Sequence, residues 1–319
     1  MRFYLDFEKS LEPLERRINE IERFYDINDP HYSKEVTSIS KKISKVEKEI
    51  YGDLSNWQRS QISRHLNRPH TLDYINYLFT DFTELHGDRK YKDDQAIVAG
   101  FARYEERGIA VVGHQKGQDL REMARRNFGM AHPEGYRKAM RIMDMANRLG
   151  KPIVTFIDTP GAFPGIGAEE RGQAEAIATS IEFMFSLTVP LMCIVIGEGG
   201  SGGALAIGVG NRILMLENAT YAVISPEGCA AILWRDGSKG ALAADALKPT
   251  APELKNLDVI DDIVKEPFGG AHRNWEETFF NTKGVFAKHF KELIGISGEE
   301  LREDRYNKFR NMGIFKEGK

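Results

Sequence analysis

The sequence predicts an α/β fold, because apolar segments of strand length alternate with segments of helix length. Ile153–Ile157 and Val189–Ile196 are short, largely apolar runs, which is typical of strands buried on both faces of a parallel sheet. A helix-length segment separates them, and another lies upstream from Pro133. Strands that alternate with helices favour parallel pairing, with ligands bound at the carboxyl ends of the strands.

Composition and charge narrow the classes of function. The chain has 319 residues, of which 41% are hydrophobic and 29% charged, as in soluble globular proteins. The net charge of −3 provides no overall attraction to nucleic acid or membranes. No apolar run approaches the roughly 20 residues of a membrane span. Acidic residues interrupt the first segment, so we expect no signal peptide and a cytoplasmic location.

The two cysteines, Cys193 and Cys229, form no CxxC pair. This argues against a disulfide framework, and we expect no metal site within this chain.

Residues 1–52 are predicted to form an αα-hairpin that precedes the main domain. Asn28, Asp29 and Pro30 break the chain between its two helices. Apolar residues three and four positions apart line one stripe of each helix: Leu11, Leu14, Ile18 and Ile21, then Val36, Ile39, Ile43, Val46 and Ile50. Two such narrow stripes cannot form a core alone, so the hairpin should pack on the main body or on a partner.

The main domain is predicted to span residues 53–298, with a regular pattern from about residue 95. The charged turn Glu105–Gly108 joins two strands, and Pro133 and Gly150 mark the start and end of the first long helix. The predicted strands are Ala96–Ala102, Ile109–His114, Ile153–Ile157, Val189–Ile196, Ile213–Leu216 and Tyr221–Ile224. The predicted helices are Pro133–Leu149, Glu169–Phe185 and Gly202–Val209. From Cys229 onward the chain is predicted to be mostly helical, and the charged tail, residues 299–319, to fray at its end.

Two glycine-rich loops follow the two buried strands. The first loop is Thr159–Gly167 and the second is Gly197–Gly203. Glycine permits positive φ and lets a ligand approach the backbone closely. Each loop lies between a buried strand and a helix, at the strand end where open α/β sheets bind ligands. The pair of loops therefore predicts a binding site.

The second loop has three interpretations, of which the first is a dinucleotide fingerprint. Gly197, Gly199 and Gly202 match G-x-G-x-x-G, and Glu217 follows at about the expected 20 residues. The loop, however, has five glycines in seven residues, so accidental matches are easy. The helix that follows is also short for a dinucleotide-binding unit.

The second interpretation is a hydrolase nucleophile elbow. Gly199, Ser201 and Gly203 match G-x-S-x-G, and an aspartate, Asp258 or Asp261, precedes His272 in the hydrolase order. Nothing near His272 in sequence marks it as a base.

The third interpretation is an oxyanion hole. A strand, a turn and a helix N-terminus place successive backbone N–H groups where the helix dipole favours negative charge. Two such donors can hold a developing enolate or tetrahedral oxygen. This function needs glycine but no particular side chain, which fits the loop.

Several segments together resemble the alpha subunits of bacterial and plastid-type acetyl-CoA carboxylase carboxyltransferases. The resemblance covers nearly the whole chain, more loosely in the first 50 and last 20 residues. It rests on Gly113–Gly117, Arg125–Met130, Pro133–Ala139, Phe156–Gly165, Gly197–Gly210, Ile224–Ala230 and Gly269–Arg273.

The resemblance implies a crotonase-like fold, a spiral of ββα units, and an active site shared with a beta subunit. In this family the beta subunit carries a zinc ribbon, and each subunit supplies one oxyanion hole. The implied assembly is α2β2, working with biotin carboxylase and the biotin carboxyl carrier protein. The implied substrates are acetyl-CoA and carboxybiotin on that carrier, with no cofactor bound covalently to this chain.

Carried onto this sequence, the resemblance places the alpha-side oxyanion hole at Gly202 and Gly203. It assigns this hole to the biotin ureido oxygen and the beta-side hole to the thioester. The expected substrate-binding residues around it are Gly161, Ala162, Phe163, Gly165, Gly199, Gly200 and Ala204.

A basic cluster spans residues 116–138, with Lys116, Arg121, Arg125, Arg126, Arg137 and Lys138. It is either a solvated face or a contact surface for CoA phosphates or the carrier protein, because arginine and lysine are the usual phosphate partners. The candidates for such contacts are Lys116, Arg125, Arg126 and Arg137. No aromatic residues alternate with these charges to stack bases, so a nucleic-acid role is not expected.

Overall fold

The computed structural model describes residues 3–24 and 30–313, and the apolar runs of the sequence form the centre of one mixed sheet. The described part of the chain has eight strands: β1 Thr80–Glu84, β2 Ile97–Tyr104, β3 Arg107–His114, β4 Ile153–Thr159, β5 Leu191–Gly200, β6 Arg212–Leu216, β7 Thr220–Ala222 and β8 Asp262–Val264. All seven residues of β4 and the first seven of β5 are buried, as expected for central strands.

The sheet is antiparallel at one edge and parallel elsewhere. Its strand order is β1-β2-β3-β4-β5-β6-β8, in which the pairs β1–β2 and β2–β3 are antiparallel and the other pairs are parallel. The long strand β5 changes neighbours along its length. Met192–Val195 pair with β6, whereas Glu198–Gly200 pair with β7. The end of β5 therefore projects beyond the main sheet, beside the end of β4.

The helices surround this sheet. In chain order they are α1 Glu12–Phe24, α2 Pro30–Tyr51, α3 Asn56–Ser63, α4 Thr71–Leu78, α5 Leu120–Arg125, α6 Pro133–Arg148, α7 Ile166–Glu170, α8 Gln173–Ser186, α9 Ser201–Leu205, α10 Pro226–Trp234, α11 Gly240–Leu247, α12 Ala251–Asn256, α13 Trp275–Leu293 and α14 Gly298–Asn311. Helix α6 packs on β2, β3 and α8, and α4 packs on β1 to β4 and on α13. In the described part of the chain no helix is both long and apolar enough to span a bilayer.

Several predicted elements differ from the observed ones. The predicted helix Glu169–Phe185 is two helices, α7 and α8, because Gly172 adopts φ +79° between them. Strand β5 continues through Gly200, so most of the predicted second loop is strand, and the short helix ends at Leu205 instead of Val209. Strands β1 and β8 were not predicted, and the last predicted strand is shorter, Thr220–Ala222.

The N-terminal segment forms the predicted pair of helices, α1 and α2, which contact each other. Of the predicted break, Asn28 and Asp29 lie outside the described residues. The pair rests on the main body through a small apolar cluster of Leu11, Tyr51 and Ile62. Arg273 of the body binds Glu15 of α1 and Glu47 of α2, so the hairpin packs on this chain.

The charged tail is predicted to fray at its end, which lies outside the described residues, but the described residues beyond 298 are largely helical. They form helix α14, in which Leu301 and Arg305 are fully buried. Arg305 donates hydrogen bonds to the carbonyl oxygens of Met184 and Leu187 at 2.8 Å. A charged residue here is therefore part of the interior, while the division of the chain at residues 52 and 298 stays a prediction.

Candidate active site

The two glycine-rich loops meet at the carboxyl ends of β4 and β5, which are neighbours in the sheet. Thr159 is paired with Gly199 across the two strands. A Cβ on Gly200 would lie 2.1 Å from the carbonyl oxygen of Pro160, and one on Gly203 would lie 2.6 Å from the carbonyl carbon of Gly161. The loops therefore touch backbone to backbone, and only glycine allows this approach.

The turn between β5 and α9 is strained at a residue with a side chain. Ser201 has φ +52°, a left-handed conformation that costs an L-residue roughly 1–2 kcal/mol. Helix α9 begins at this residue, so the amides of Gly202 and Gly203 belong to its first turn and have no acceptor within the helix. A Cβ on Gly202 would meet only Ile177, at an ordinary distance of 3.4 Å. Such strain in a turn of free amides is typical of functional sites.

Depressions flank the turn on two sides. One is a cleft beside the end of β5 whose lining includes charged and apolar residues, and the other is an apolar groove beside α9. The cleft is lined by Ser60, Arg64, Pro160, Glu198, Gly199, Gly200, Thr220, Ala222, Ile224, Ser225, Pro226 and Pro249. The groove is lined by Ser201, Gly202, Leu205, Tyr221, Ala222, Val223 and Val259.

The first loop carries the remaining predicted site residues. Gly161 has φ +156°, and its N–H donates to the hydroxyl of Thr159 at 3.1 Å. The Phe163 ring stacks on His132 with centroids 4.2 Å apart, and its N–H donates to the carbonyl of Ala131.

The other residues of this set lie close by. A Cβ on Gly165 would lie 2.4 Å from the Phe163 ring. Ala162 is partly buried, and Ala204 is fully buried in α9. The structure thus brings all nine predicted glycine-turn and substrate-binding residues to one sheet edge.

A buried ionic network supports the two loops, and the sequence analysis did not anticipate it. Lys116 Nζ lies 2.8 Å from Asp158 Oδ1 and 2.6 Å from Glu198 Oε2. Asp158 follows the apolar core of β4, and Glu198 lies near the end of β5. Asp158 also accepts the Glu198 backbone N–H at 3.0 Å, and its second oxygen lies 3.1 Å from His70 Nδ1. We name Lys116, Asp158, Glu198 and His70 the Lys116 network.

The charges in this network stabilise one another. Burial alone would lower the pKa of Lys116, but the carboxylates of Asp158 and Glu198 raise it to about 12. Burial would raise the pKa of Asp158, but the charge of Lys116 and the hydrogen bond from His70 hold it well below its ordinary value. Lys116 is therefore a cation and Asp158 an anion at neutral pH.

The four residues predicted to contact phosphates differ in exposure and in their partners within the chain. Lys116 faces two carboxylates inside the protein, so it is not a surface group for CoA. Arg126 is held by Glu122 and the carbonyl of Gln95, and Arg137 by the carbonyl of Arg171 and by Glu175. The side chain of Arg125 is 58% exposed, with Glu122 at 3.9 Å. Of the four predicted residues, Arg125 is the most exposed, and a contact of Arg125, Arg126 or Arg137 with CoA or the carrier stays a prediction.

A second buried pair, also missed from the sequence, anchors the end of β5. Arg68 Nη2 donates to the carbonyl of Ile196 at 2.8 Å and to Glu266 Oε1 at 2.8 Å. Glu266 in turn accepts the N–H of Asn218 and the N–H of Ala271. The only signal in the sequence was that charged residues lie in otherwise buried segments, and it does not reveal partners about 200 residues away.

The geometry argues against the dinucleotide interpretation. Gly197 and Gly199 lie within β5 and not in a turn, and α9 has five residues. A crossover helix of full length is therefore absent after this strand, and Glu217 is bound to Lys265 at 2.7 Å.

The hydrolase interpretation lacks its base. The positive φ of Ser201 is what a nucleophile elbow would have, so the backbone does not separate the two interpretations. His272 does separate them. Its Nε2 lies 3.1 Å from Glu8 Oε1, and its ring stacks on His65, so the N-terminal segment holds it. Asp261 is likewise bound to Lys308 and to the N–H of Ile213.

Comparison with protein families and sequences gives one consistent result. A family model described as "Acetyl co-enzyme A carboxylase carboxyltransferase-like" matches residues 4–313. The chain is 57% identical over 316 residues to the acetyl-coenzyme A carboxylase carboxyl transferase subunit alpha of Geobacter metallireducens, covering 99% of both chains. It is 54% identical to the protein of the same name from Syntrophotalea carbinolica, covering 99% of this chain and 100% of that one.

Comparison with solved structures supports the fold. A Pseudomonas malonate decarboxylase hetero-dimer is similar with a TM-score of 0.58 at 14% identity, covering 75% of this chain and 97% of that one. Transcarboxylase 12S is similar with a TM-score of 0.54 at 19% identity, covering 68% and 42%. The beta subunit of P. aeruginosa geranyl-CoA carboxylase has a TM-score of 0.55 at 14% identity, covering 82% and 48%. The crotonase-like fold expected from the sequence is confirmed.

Proposed function

The chain belongs to the acetyl-CoA carboxylase carboxyltransferase alpha family, and from this membership we propose that it supplies one half of a split carboxyltransferase site. With a beta subunit it transfers the carboxyl group of carboxybiotin to acetyl-CoA and forms malonyl-CoA. The alpha subunits of this family act in multisubunit enzymes, so a beta subunit is its partner.

The observation that carries the proposal is the glycine turn at the end of β5. Carboxyl transfer develops negative charge on two oxygens, the ureido oxygen of biotin and the thioester oxygen of the acyl-CoA. Preorganised N–H donors are the usual means of stabilising such charge. The amides of Gly202 and Gly203 fit an anionic oxygen because they lie in the first turn of α9, where the helix gives them no acceptor.

We assign the Gly202–Gly203 turn to the ureido oxygen and a hole on the beta subunit to the thioester oxygen. The ureido anion left after carboxyl release can itself take the methyl proton of acetyl-CoA, so no protein base is required. This agrees with the surroundings of Ser201, because His272, the candidate base, is bound to Glu8 instead. The remaining acceleration comes from holding two large substrates face to face.

Further features of the assembly belong to the same proposal. The zinc site lies on the beta subunit, and this chain and the beta subunit form an α2β2 core. That core works in the cytoplasm with biotin carboxylase and the biotin carboxyl carrier protein. The carrier presents carboxybiotin, and Arg125 is the most exposed of the residues predicted to contact CoA or the carrier.

The reverse half-reaction tests this function. The chain is co-expressed with a candidate beta subunit, and the purified complex is given malonyl-CoA with and without free biotin. We expect biotin-dependent formation of acetyl-CoA. An assembled complex that forms no acetyl-CoA in a biotin-dependent manner would refute the proposed function.

A further inference from the structure

Lys116 lies on neither strand of the site, and it contacts a carboxylate from each of them. Its ammonium group contacts Asp158 at the end of β4 and Glu198 at the end of β5. Asp158 directly precedes the first glycine loop, and Glu198 is the second residue of the second loop. The two contacts of Lys116 therefore help to set the position of one loop relative to the other, together with the strand pairing and the bond from the Glu198 N–H to Asp158.

The surroundings of Lys116 leave little freedom to this group. Its side chain is 11% exposed. A Cβ on Gly129 would lie 3.0 Å from Lys116 Cγ and 2.8 Å from the carbonyl oxygen of Asp158, so the stem is packed against backbone. A Cβ on Gly197 would lie 2.4 Å from Asp158 Oδ1. Two glycines thus make the space in which the ammonium and the carboxylate meet.

The charge of Lys116 matters for the neighbouring turn as well. Glu198 lines the cleft beside Gly199 and Gly200, four and five residues before the amides of Gly202 and Gly203. A carboxylate so close to an anion-binding turn would repel a developing oxyanion. Lys116, bonded to Glu198 at 2.6 Å, offsets that charge.

We propose that Lys116 is a positioning residue for the carboxyltransferase site. It ties the ends of β4 and β5 together and neutralises the carboxylate beside the oxyanion turn. This inference rests on the proposed function, because it concerns the rate of the same reaction. Lys116 does not touch the reacting atoms, and it acts through Glu198 and the glycine turn.

The test compares three variants of the alpha chain in complex with the beta subunit. Lys116→Met removes the tie and leaves two facing carboxylates. The double variant Lys116→Met/Glu198→Gln removes the tie but keeps the charges balanced. The control is Lys308→Met, because Lys308 is a similarly enclosed lysine, 14% exposed, that binds Asp261 away from the loops. Malonyl-CoA decarboxylation with biotin gives kcat and KM, and size exclusion reports assembly.

We expect Lys116→Met to lower kcat by about 100-fold, near the effect of losing one oxyanion donor, with KM for malonyl-CoA within about threefold. The double variant should have a kcat about tenfold higher than that of Lys116→Met, because the repulsive charge of Glu198 is gone. Lys308→Met should stay within about threefold of the unsubstituted complex. If Lys116→Met does not assemble, the double variant provides the test. A kcat about tenfold below that of Lys308→Met then supports the positioning role of Lys116.

Two results would overturn the inference. One is a Lys116→Met or double variant with the kcat of the Lys308→Met control. The other is an assembled Lys116→Met complex with a lowered kcat, together with a double variant whose kcat is no higher. An unsubstituted complex without activity is a separate outcome, since it refutes the proposed function and not the role of Lys116.

Discussion

Gly202 and Gly203 are neighbours in one turn, yet a methyl group would meet different surroundings at each. At Gly203 it would lie 2.7 Å from the amide nitrogen of Ala162, in backbone that cannot turn aside. At Gly202 it would meet Ile177 at 3.4 Å, an ordinary contact. Both alanine variants keep their backbone N–H, so only the position of the loops differs.

We therefore predict that Gly203→Ala lowers kcat of the complex by about tenfold to 100-fold, whereas Gly202→Ala keeps it within about threefold. The physical reason is that Gly203→Ala pushes the Gly161 loop away from the turn, and a misplaced oxyanion donor loses much of its effect. Steady-state kinetics of both complexes measure this. Equal rates for the two variants would contradict the backbone contact as the reason for glycine at position 203.

Ser201 is strained but has no base at hand, so its hydroxyl should be dispensable. Ser201→Ala is expected to keep activity within about tenfold. Ser201→Gly should raise the free energy of unfolding by about 1 kcal/mol, because glycine adopts φ +52° without strain. Activity and denaturant unfolding measure the two effects. Covalent labelling by a fluorophosphonate that disappears in Ser201→Ala would instead support a nucleophile.

The sequence could place the glycine turn but not the side chains beneath it. Gly197–Gly203 stands out because glycines cluster after an apolar run, which is a local signal. Lys116, by contrast, was predicted as a surface contact because the neighbouring residues are basic. Its partners lie 42 and 82 positions further along the chain, and only the fold brings them together.

At the scale of elements, a buried cluster fastens the N-terminal hairpin to the body. Glu8 accepts hydrogen bonds from Tyr51 at 2.7 Å and has His272 Nε2 at 3.1 Å. His65 stacks on His272 with centroids 4.0 Å apart. Burial and the neighbouring His272 lower the pKa of His65 to about 3, and burial lowers that of His272. Burial would raise the pKa of Glu8, but the contact with His272 helps to lower it to about 2.

This cluster predicts loss of stability in acid. Both histidines bind protons more readily when unfolded, so stability is complete above about pH 6.5 and declines below it. Glu8 adds a further loss below its ordinary pKa of 4.5. We expect the midpoint of unfolding to decrease as the pH is lowered from 6.5 to 4.5. His65→Gln should make this dependence of the midpoint on pH less steep. The exposed His86 supplies the control His86→Gln, and equal slopes for both variants would contradict this account.

Helix α14 makes a second test at this scale. Arg305 is fully buried and bonds to two carbonyls at the end of α8 and to Asn211 Oδ1 at 2.7 Å. Arg305→Met should lower the free energy of unfolding by about 3 kcal/mol, because buried acceptors are left unpaired. The exposed Arg302 on the same helix gives the control, and Arg302→Met should change it by less than about 1 kcal/mol. Denaturant unfolding that found the two variants equal would be a contradiction.

Strands in the centre of the sheet were predictable, and strands at its edges were not. β4 and β5 are apolar enough to be recognised alone. β1 has largely exposed residues, and β8 has only three residues. Neither therefore has a hydrophobic pattern by which a strand can be recognised in the sequence. The break between α7 and α8 was missed because an isolated glycine in a helical pattern is often tolerated. The burial of Arg305 was missed because the charges of the tail suggested solvent, whereas Arg305 donates to carbonyl oxygens.

In the whole molecule, we propose that this chain holds one oxyanion turn of a site that another subunit completes. The chain has no second turn of this kind among its described residues: the two glycine loops form a single edge. An isolated alpha chain should therefore bind its partner before it can transfer carboxyl groups.

Titration of separately purified subunits tests whether the site is divided between this chain and a beta subunit. The beta subunit is added to a fixed amount of this chain, and biotin-dependent decarboxylation of malonyl-CoA is measured at each step. We expect no decarboxylation above background for either subunit alone. In the mixture, the rate should rise and saturate at one beta subunit per alpha chain. A purified alpha chain that decarboxylated malonyl-CoA at the rate of the complex would contradict this division of the site.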